Sequence, residues 1–292
     1  MSASTFISYT KKDLEKLPPR PERSHKGTFG RVLCLCGSRG MAGAAYLAGL
    51  AAYRTGAGLV EILTPECNRT ILQTLLPEAV VTVYDDEDPD LRTVTASVAR
   101  ADALVVGCGL GTSAVSARVL ESALTYATSP TVLDADALNL LAKRPHLRPL
   151  VRDKIITPHV GEASRLFSVP VEDILSDIPR HAARFAEDLA CVCVLKDHNT
   201  IVAAPTHALY KNTSGNSGMA TGGSGDVLAG IIGGLLAQQK NLPAPDTYLA
   251  ATLGVYLHGL CGDLAAEQRS EYSVMAQDLV GALPEILRQV GT

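Results

Sequence analysis

Short, almost continuously apolar runs alternate along this chain with longer stretches in which apolar residues return every three or four positions. The runs "RVLCLCG" (31–37), "GLVEILT" (58–64) and "AVVTVY" (79–84) predict strands buried on both faces. Between them, "AGAAYLAGLAAYRTG" (42–56) predicts an alanine-rich helix ended by Gly56, and "NRTILQTLL" (68–76) a second helix. The alternation continues with a helix at 91–100, the strand "DALVVGCGLG" (102–111) running into glycines, and a helix at 114–127. "TVLDADALNLLAK" (131–143) and "KIITPHVGEASRLF" (154–167) each read as strand, loop and helix. "CVCVLKD", "TIVAAP" and "HALYKN" predict three short strands, and the chain closes with apolar helices at about 226–239, 245–267 and 275–289.

Strands separated by helices require crossover connections, which build a central, mainly parallel sheet with helices on both faces. No linker, charge run or fixed-period repeat divides the chain, so one α/β domain is expected. In open sheets of this kind ligands bind outside the carboxyl ends of the strands. Glycines and polar residues gather at those ends, in "CGSRGMAG", "GCGLG", "DADALN", "TPHVGE" and "NTSGNSGMATGGSGD".

Composition narrows the chemistry. The 292 residues are 47% hydrophobic and 19% charged, with a net charge of -4 and no Lys/Arg run. A nucleic-acid surface or anionic-membrane footprint is disfavoured, and with 4% aromatics and no Trp so is a base-stacking platform. The first residues have no apolar signal core, and "VLAGIIGGLLA" is shorter than the roughly 20 residues of a membrane span. A cytoplasmic protein without a membrane partner is expected. Seven cysteines include none in C-x-x-C spacing. Cys34 with Cys36, and Cys191 with Cys193, fall at a period of two, so each pair shares one face of a strand. They read as small buried hydrophobes in a reducing compartment rather than as a zinc or redox site.

The stretch "NTSGNSGMATGGSGDVLAGIIGGLLA" (212–237) joins a glycine-rich loop to an apolar helix, with Asp226 at the junction. Main-chain N–H groups at such a helix start form an anion hole, and glycine lets the chain come close to a phosphate. A helix cap alone would explain Asp226, but not five glycines from Gly215 to Gly225. Beside phosphates, an acid makes sense as a base for a hydroxyl that attacks phosphorus. The earlier cluster of Gly37, Gly40 and Gly43 lacks the G-x-G-x-x-G spacing, and the Walker pattern is absent, which points to a different nucleotide fold.

Five separated motifs carry a resemblance: "KGTFGRVLCLCGSRGMAGAAYLAGLAAYRTGAGLV", "VVGCGLG", "VLDADALNLL", "TPHVGEASRL" and "NTSGNSGMATGGSGDVLAG". In this order, over nearly the whole chain beyond residue 25, they resemble the ADP/ATP-dependent NAD(P)H-hydrate dehydratase family. The resemblance implies a ribokinase-like fold over residues 26–292, with 1–25 as a lead segment. It implies a repair reaction in which the ring hydroxyl of the S epimer of hydrated NADH or NADPH is phosphorylated by ADP or ATP. The phosphate then leaves and restores the dihydronicotinamide.

Residue roles follow from the resemblance. Asp226 would be the catalytic base and a substrate contact. Gly222, Gly223, Ser224 and Gly225 would hold the nucleotide phosphates, and Lys196, Asp197, His198, Asn199 and Thr200 the adenine nucleotide. Ala44, Gly109 and His159 would contact the hydrated dinucleotide. Each has a plain structural reading as well: helix packing for Ala44, a capping histidine for His159, a surface lysine for Lys196. Glu162 falls where related kinases keep a carboxylate near the waters of Mg²⁺, and equally suits the first turn of a helix. Asp134 would orient the substrate side, and Asp136 would cap the helix starting at Ala137. Two departures are visible: Ser217 where the family often has Pro, and Ser224 where Thr is frequent.

The expected enzyme is a stand-alone dehydratase, relying on a separate epimerase for the R hydrate and forming a homo-oligomer. Two other readings remain open at this stage. One is a kinase of the same fold acting on a hydroxymethylpyrimidine or hydroxyethylthiazole, and the other is an adenine-nucleotide sensor without chemistry.

Overall fold

The computed structural model describes residues 6–290. Its nine strands are β1 (Arg31–Leu35), β2 (Leu59–Pro65), β3 (Val80–Tyr84), β4 (Ala103–Val106), β5 (Thr131–Leu133), β6 (Ile155–Ile156), β7 (Val192–Leu195), β8 (Ile201–Ala203) and β9 (Tyr210–Lys211). They form one sheet in the order β3-β2-β1-β4-β5-β6-β7-β8-β9. Pairing is parallel from β3 through β7 and antiparallel for β8 and β9. The chain runs outward from β1 to β3, then returns to β4 on the other side of β1. That reversal opens a crevice at the carboxyl ends of β1 and β4, where doubly wound sheets bind ligands.

The helices are α1 (Ala42–Thr55), α2 (Arg69–Leu75), α3 (Leu91–Ala99), α4 (Ala114–Tyr126), α5 (Asp136–Lys143), α6 (Val160–Phe167), α7 (Val171–Ser176), α8 (Ile178–Leu189), α9 (Ser224–Gln238), α10 (Thr247–Arg269) and α11 (Ala276–Arg288). Alternation along β1 divides the core in two. Val32, Cys34 and Cys36 pack with α1, α9, α10 and α11. Leu33 and Leu35 pack with α3, α4, α5 and α8. The expected pairing of cysteine faces holds: Cys34 and Cys36 share the first layer, Cys191 and Cys193 the second, and all seven cysteines are free thiols.

The apolar helix read at 226–239 is α9, and it is buried on all sides between α1, α10 and the sheet. Its glycines permit that depth: a Cβ on Gly230 would stand 2.2 Å from Ala48 O on α1. The longest helix, α10, has the length and hydropathy of a membrane span, but 72% of its most apolar window is buried inside the protein. It reads as a core helix.

Two regions extend the predicted pattern. Helices α7 and α8 fill residues 171–189, which the apolar pattern leaves unassigned; Asp177 caps α8 by accepting the Arg180 N–H. Ahead of β1, Ile7 N–H donates to Leu209 O at 2.9 Å, and Lys211 N–H donates to Ile7 O at 2.9 Å. Tyr9 follows with its ring centroid 4.8 Å from that of Tyr210, and its hydroxyl is 2.9 Å from Thr252 Oγ1. Residues of the lead segment thus pack on the β9 side of the sheet.

Candidate active site

The loops after β1, β4, β5, β6 and β7 meet the N-terminus of α9. Gly37 N–H donates to Cys108 O at 2.8 Å, joining the loops after β1 and β4. Gly107 and Gly109, at φ of 120° and 61°, give the backbone a left-handed course around Cys108. The fully buried Cys108 Sγ and carboxylate oxygens of Asp134 and Asp226 then lie within 4.8 Å of one another.

Asp134, 1% exposed, leaves the end of β5. Its Oδ1 accepts from Thr157 Oγ1 at 2.7 Å and from Lys196 Nζ at 2.8 Å. Thr157 and Lys196 follow the next two parallel strands, so strand register builds this network. Burial lowers the Lys196 pKa, but Asp134 and Glu162 beside it more than reverse that, and the ammonium stays charged. Glu162 Oε2 is 4.0 Å from Lys196 Nζ. Burial raises the Glu162 carboxyl, with Lys196 opposing.

His159 caps α6. Its Nδ1 accepts from Gly161 N–H at 3.0 Å while Glu162 Oε2 accepts from His159 N–H at 2.9 Å, a reciprocal capping box. Burial, then Lys196 and Arg165, lower the His159 pKa and keep Nδ1 available as an acceptor. The capping geometry expected of His159 and the first-turn place expected of Glu162 are both present.

Asp226 stands in the first turn of α9. Burial, then the charge of Asp134, push its carboxyl up to about 6, while a Cys108 thiol hydrogen bond and Lys196 hold it back. At neutral pH it is ionised yet basic enough to take a proton. Gly223 is the N-cap at φ 90°, and no side chain caps the helix. Among the described residues, no main-chain acceptor meets the N–H groups of Gly225 or Asp226. A Cβ on Gly225 would stand 3.3 Å from Lys196 Nζ and 3.5 Å from Asp134 Oδ2, so the start of α9 abuts the ionic network. Ser224 Oγ is 3.2 Å from His258 Nε2, and burial drives His258 down to about 4, leaving a neutral ring.

Ala44 and Gly109 form one wall: a Cβ on Gly109 would stand 2.8 Å from Ala44 Cβ. Next to it opens a cleft of about 180 Å³ lined by Gly43, Leu47, Thr221, Gly222, Met275 and Gln277. The segment 196–200 divides. Lys196 turns to Asp134, whereas His198 Nδ1 lies 3.0 Å from Asp197 Oδ2 and 2.6 Å separates Asn199 Nδ2 from His198 Nε2. Thr200 Oγ1 donates to Asp197 O at 3.2 Å, so these bonds stay within the β7–β8 turn. Asp136 does not cap α5: Ala135 holds that position at φ 47°. Asp136 Oδ2 instead accepts from Gly111 N–H at 2.8 Å, bracing the loop after β4.

Thr157, Cys108 and His258 belong to this centre without having been singled out in the sequence. Thr157 and Cys108 sit inside the strand-end motifs, and His258 interrupts the mostly apolar stretch Leu253–Cys261 of α10.

The family model for NAD(P)H-hydrate dehydratase matches residues 32–285. The ADP-dependent (S)-NAD(P)H-hydrate dehydratase of Bacillus subtilis is 36% identical over 281 residues, 94% of each chain. The bifunctional NAD(P)H-hydrate repair enzyme of Moorella thermoacetica is 40% identical over 94% of this chain; the chain spans about half, 52%, of that relative's length. Among solved structures, a ribokinase-like superfamily protein from Enterococcus faecalis superposes with a TM-score of 0.86 at 32% identity, over 97% of this chain and 96% of its own. The ADP/ATP-dependent NAD(P)H-hydrate dehydratase from Bacillus subtilis, co-crystallised with ATP/Mg²⁺, gives 0.83 at 32% identity, over 98% and 99%. Matches of this extent, on a sheet of this topology, establish that the chain belongs to the NAD(P)H-hydrate dehydratase family and has its ribokinase-like fold.

Proposed function

We propose that this chain dehydrates the S epimer of hydrated NADH or NADPH, driven by phosphoryl transfer from ADP or ATP. The observation that carries the reading is Asp226: a carboxyl raised to about 6, in the first turn of an uncapped helix, beside the Lys196 ammonium. The amides of Gly222, Gly223, Gly225 and Asp226 receive the nucleotide's terminal phosphates, and Lys196 faces their charge. The wall of Ala44 and Gly109, together with His159, receives the hydrated ring.

Asp226 takes the proton of the ring hydroxyl as its oxygen attacks the terminal phosphorus. The bond from phosphorus to the nucleotide's bridging oxygen breaks, and the shortened nucleotide leaves. The ring carbon–oxygen bond then breaks with phosphate as leaving group, supported by the ring nitrogen's lone pair. A proton lost from the neighbouring carbon restores the double bond. Hydroxide is a poor leaving group and phosphate a much better one, which is why a kinase fold serves a lyase.

Magnesium suits this donor set. It takes oxygen ligands, keeps several waters and contacts phosphates. Glu162, and Asp134 through its second oxygen, would hold its waters. Cys108 is unsuited, since its Cys36 hydrogen bond and burial hold the thiol well above the usual range. When bound, the ion neutralises charge on the phosphate oxygens.

The reading leaves the R hydrate to an epimerase activity. It places the enzyme in the cytoplasm, supported by seven free thiols. It also includes a homo-oligomer, for which the exposed Tyr272 and Met275 ahead of α11 offer apolar surface. The test is regain of dihydronicotinamide absorbance from purified S hydrate with each nucleotide. A vitamin kinase or a nucleotide sensor gives no regain.

A further inference from the structure

The loop that delivers the α9 amides, residues 212–223, starts with Asn212 N–H donating to Thr200 O at 2.9 Å and is then anchored chiefly along α10. On α10, Asp263 Oδ2 accepts from Gly215 N–H at 2.9 Å and Oδ1 accepts from Asn216 Nδ2 at 3.1 Å. Asn216 Oδ1 in turn accepts from Gly218 N–H at 3.0 Å, so the clamp is passed along the loop. Earlier on the helix, Tyr256 O accepts from Ser214 Oγ at 3.1 Å, and His258 Nε2 lies 3.2 Å from Ser224 Oγ. The surface between is cleared of side chains: a Cβ on Gly259 would stand 2.1 Å from Ser214 Oγ, and one on Gly262 would stand 2.1 Å from Met219 Sδ. The loop therefore lies directly on α10.

Both oxygens of one carboxylate, on a main-chain and a side-chain donor of consecutive residues, fix position and orientation together. Ser217, where the family often has Pro, donates its hydroxyl to Glu271, a tether in place of a stiff ring.

We propose that Asp263 is a positioning residue for the phosphate cradle. It sets where the amides of residues 222–226 stand by fixing the loop that leads to them, and Glu271 secures the same loop through Ser217. The inference rests on the cradle reading given above. Phosphoryl transfer depends on placement, and a misplacement of about 1 Å can cost on the order of 10² in rate.

The experiment compares the parent chain with Asp263→Ala, Asp263→Asn and Glu271→Gln. Calorimetry gives ADP and ATP affinity, steady-state rates give kcat and KM for each substrate, and melting gives Tm. Asp263→Ala should weaken nucleotide binding and lower kcat, each by about tenfold, within the range a small displacement produces. The hydrate KM and the pH midpoint of kcat should change little. Asp263→Asn keeps an acceptor for Gly215 N–H and should fall between, and Glu271→Gln should show a smaller loss of the same kind. Unchanged nucleotide affinity and kcat in Asp263→Ala, or a lowered Tm alone, would overturn the proposal. If Asp263→Ala does not fold, unchanged affinity and kcat in Asp263→Asn overturn it instead. A parent chain that binds nucleotide but regenerates no NAD(P)H defeats the reaction reading, while the affinity series still decides the clamp.

Discussion

Lys196 Nζ donates to Asp134 Oδ1 at 2.8 Å, across the ends of β7 and β5, while Thr157 at the end of the intervening β6 donates to the same oxygen. The pair puts the ammonium between two acids and the start of α9, with Glu162 Oε2 at 4.0 Å. A phosphate on the α9 amides would meet that charge directly. Lys196 thus belongs to the phosphate end of the nucleotide on this reading, and the β7–β8 turn to whatever lies beyond it.

Lys196→Ala should raise the nucleotide KM at least tenfold, an effect of the size expected for a charge-assisted phosphate contact, and leave the hydrate KM nearly unchanged. It should also move the Asp226 midpoint upward, because Lys196 holds that carboxyl down. Breaking a buried pair costs about 3–5 kcal/mol, and the lysine side chain here is 21% exposed, so the loss of stability should fall below that range. Kinetics over a pH series with a parallel melt checks all three. A hydrate KM that rises while the nucleotide KM holds would move Lys196 to the other substrate.

The pH profile carries the second prediction. Asp226 must be ionised to accept a proton, so kcat should fall as pH drops through about 6. Stability runs the other way. The folded chain favours the protonated acid, so the group's stabilising contribution is full below the unfolded value of 3.8 and is lost as pH rises through about 6. The rise from 3.8 to about 6 corresponds to about 3 kcal/mol, less where solvent reaches the group. Asp226→Asn should therefore melt higher than the parent at pH 8 and about equally at pH 4. A lower melting temperature at pH 8 would show that the ionised acid stabilises the fold.

Much of this site was legible because strand ends and glycines mark themselves. The order of motifs placed Asp226 at a helix start, and the period of two placed Cys34 and Cys36 together. What stayed hidden was set by distance in sequence. Lys196 and Asp134 are far apart along the chain and meet only through strand order. Helix α8 opens with Pro179 after a short turn, and its charged stretch "RHAARFAEDL" masks the buried Ala182, Phe185 and Ala186. Asp136 looked like a cap because it precedes an apolar run, but Ala135 takes the turn and frees its carboxylate for Gly111.

Gly222 and Gly223 separate cradle from fold. A Cβ on Gly222 would meet nothing within 4 Å, whereas one on Gly223, at φ +90°, would stand 2.5 Å from Leu47 Cδ1. Gly222→Val should keep its melting temperature and lose nucleotide affinity. Gly223→Val should lose stability as well, by at least the 1–2 kcal/mol that a left-handed conformation costs a residue with a side chain. Calorimetry and melting on both variants decide it. Unimpaired nucleotide binding in Gly222→Val would remove Gly222 from the cradle.

The central claim is that Asp226 is the base in a nucleotide-driven dehydration. The most direct measurement is the rate at which purified S hydrate, with ADP or ATP, returns dihydronicotinamide absorbance in the parent and in Asp226→Asn. The substitution keeps size and can still serve the helix start, but it cannot accept a proton. The account predicts regain in the parent and a loss of about 10² to 10⁴ in kcat for the variant, with nucleotide affinity retained. A variant keeping more than about a tenth of the parent rate, well inside the loss expected for a missing base, would contradict it, as would a parent that consumes nucleotide without restoring the absorbance.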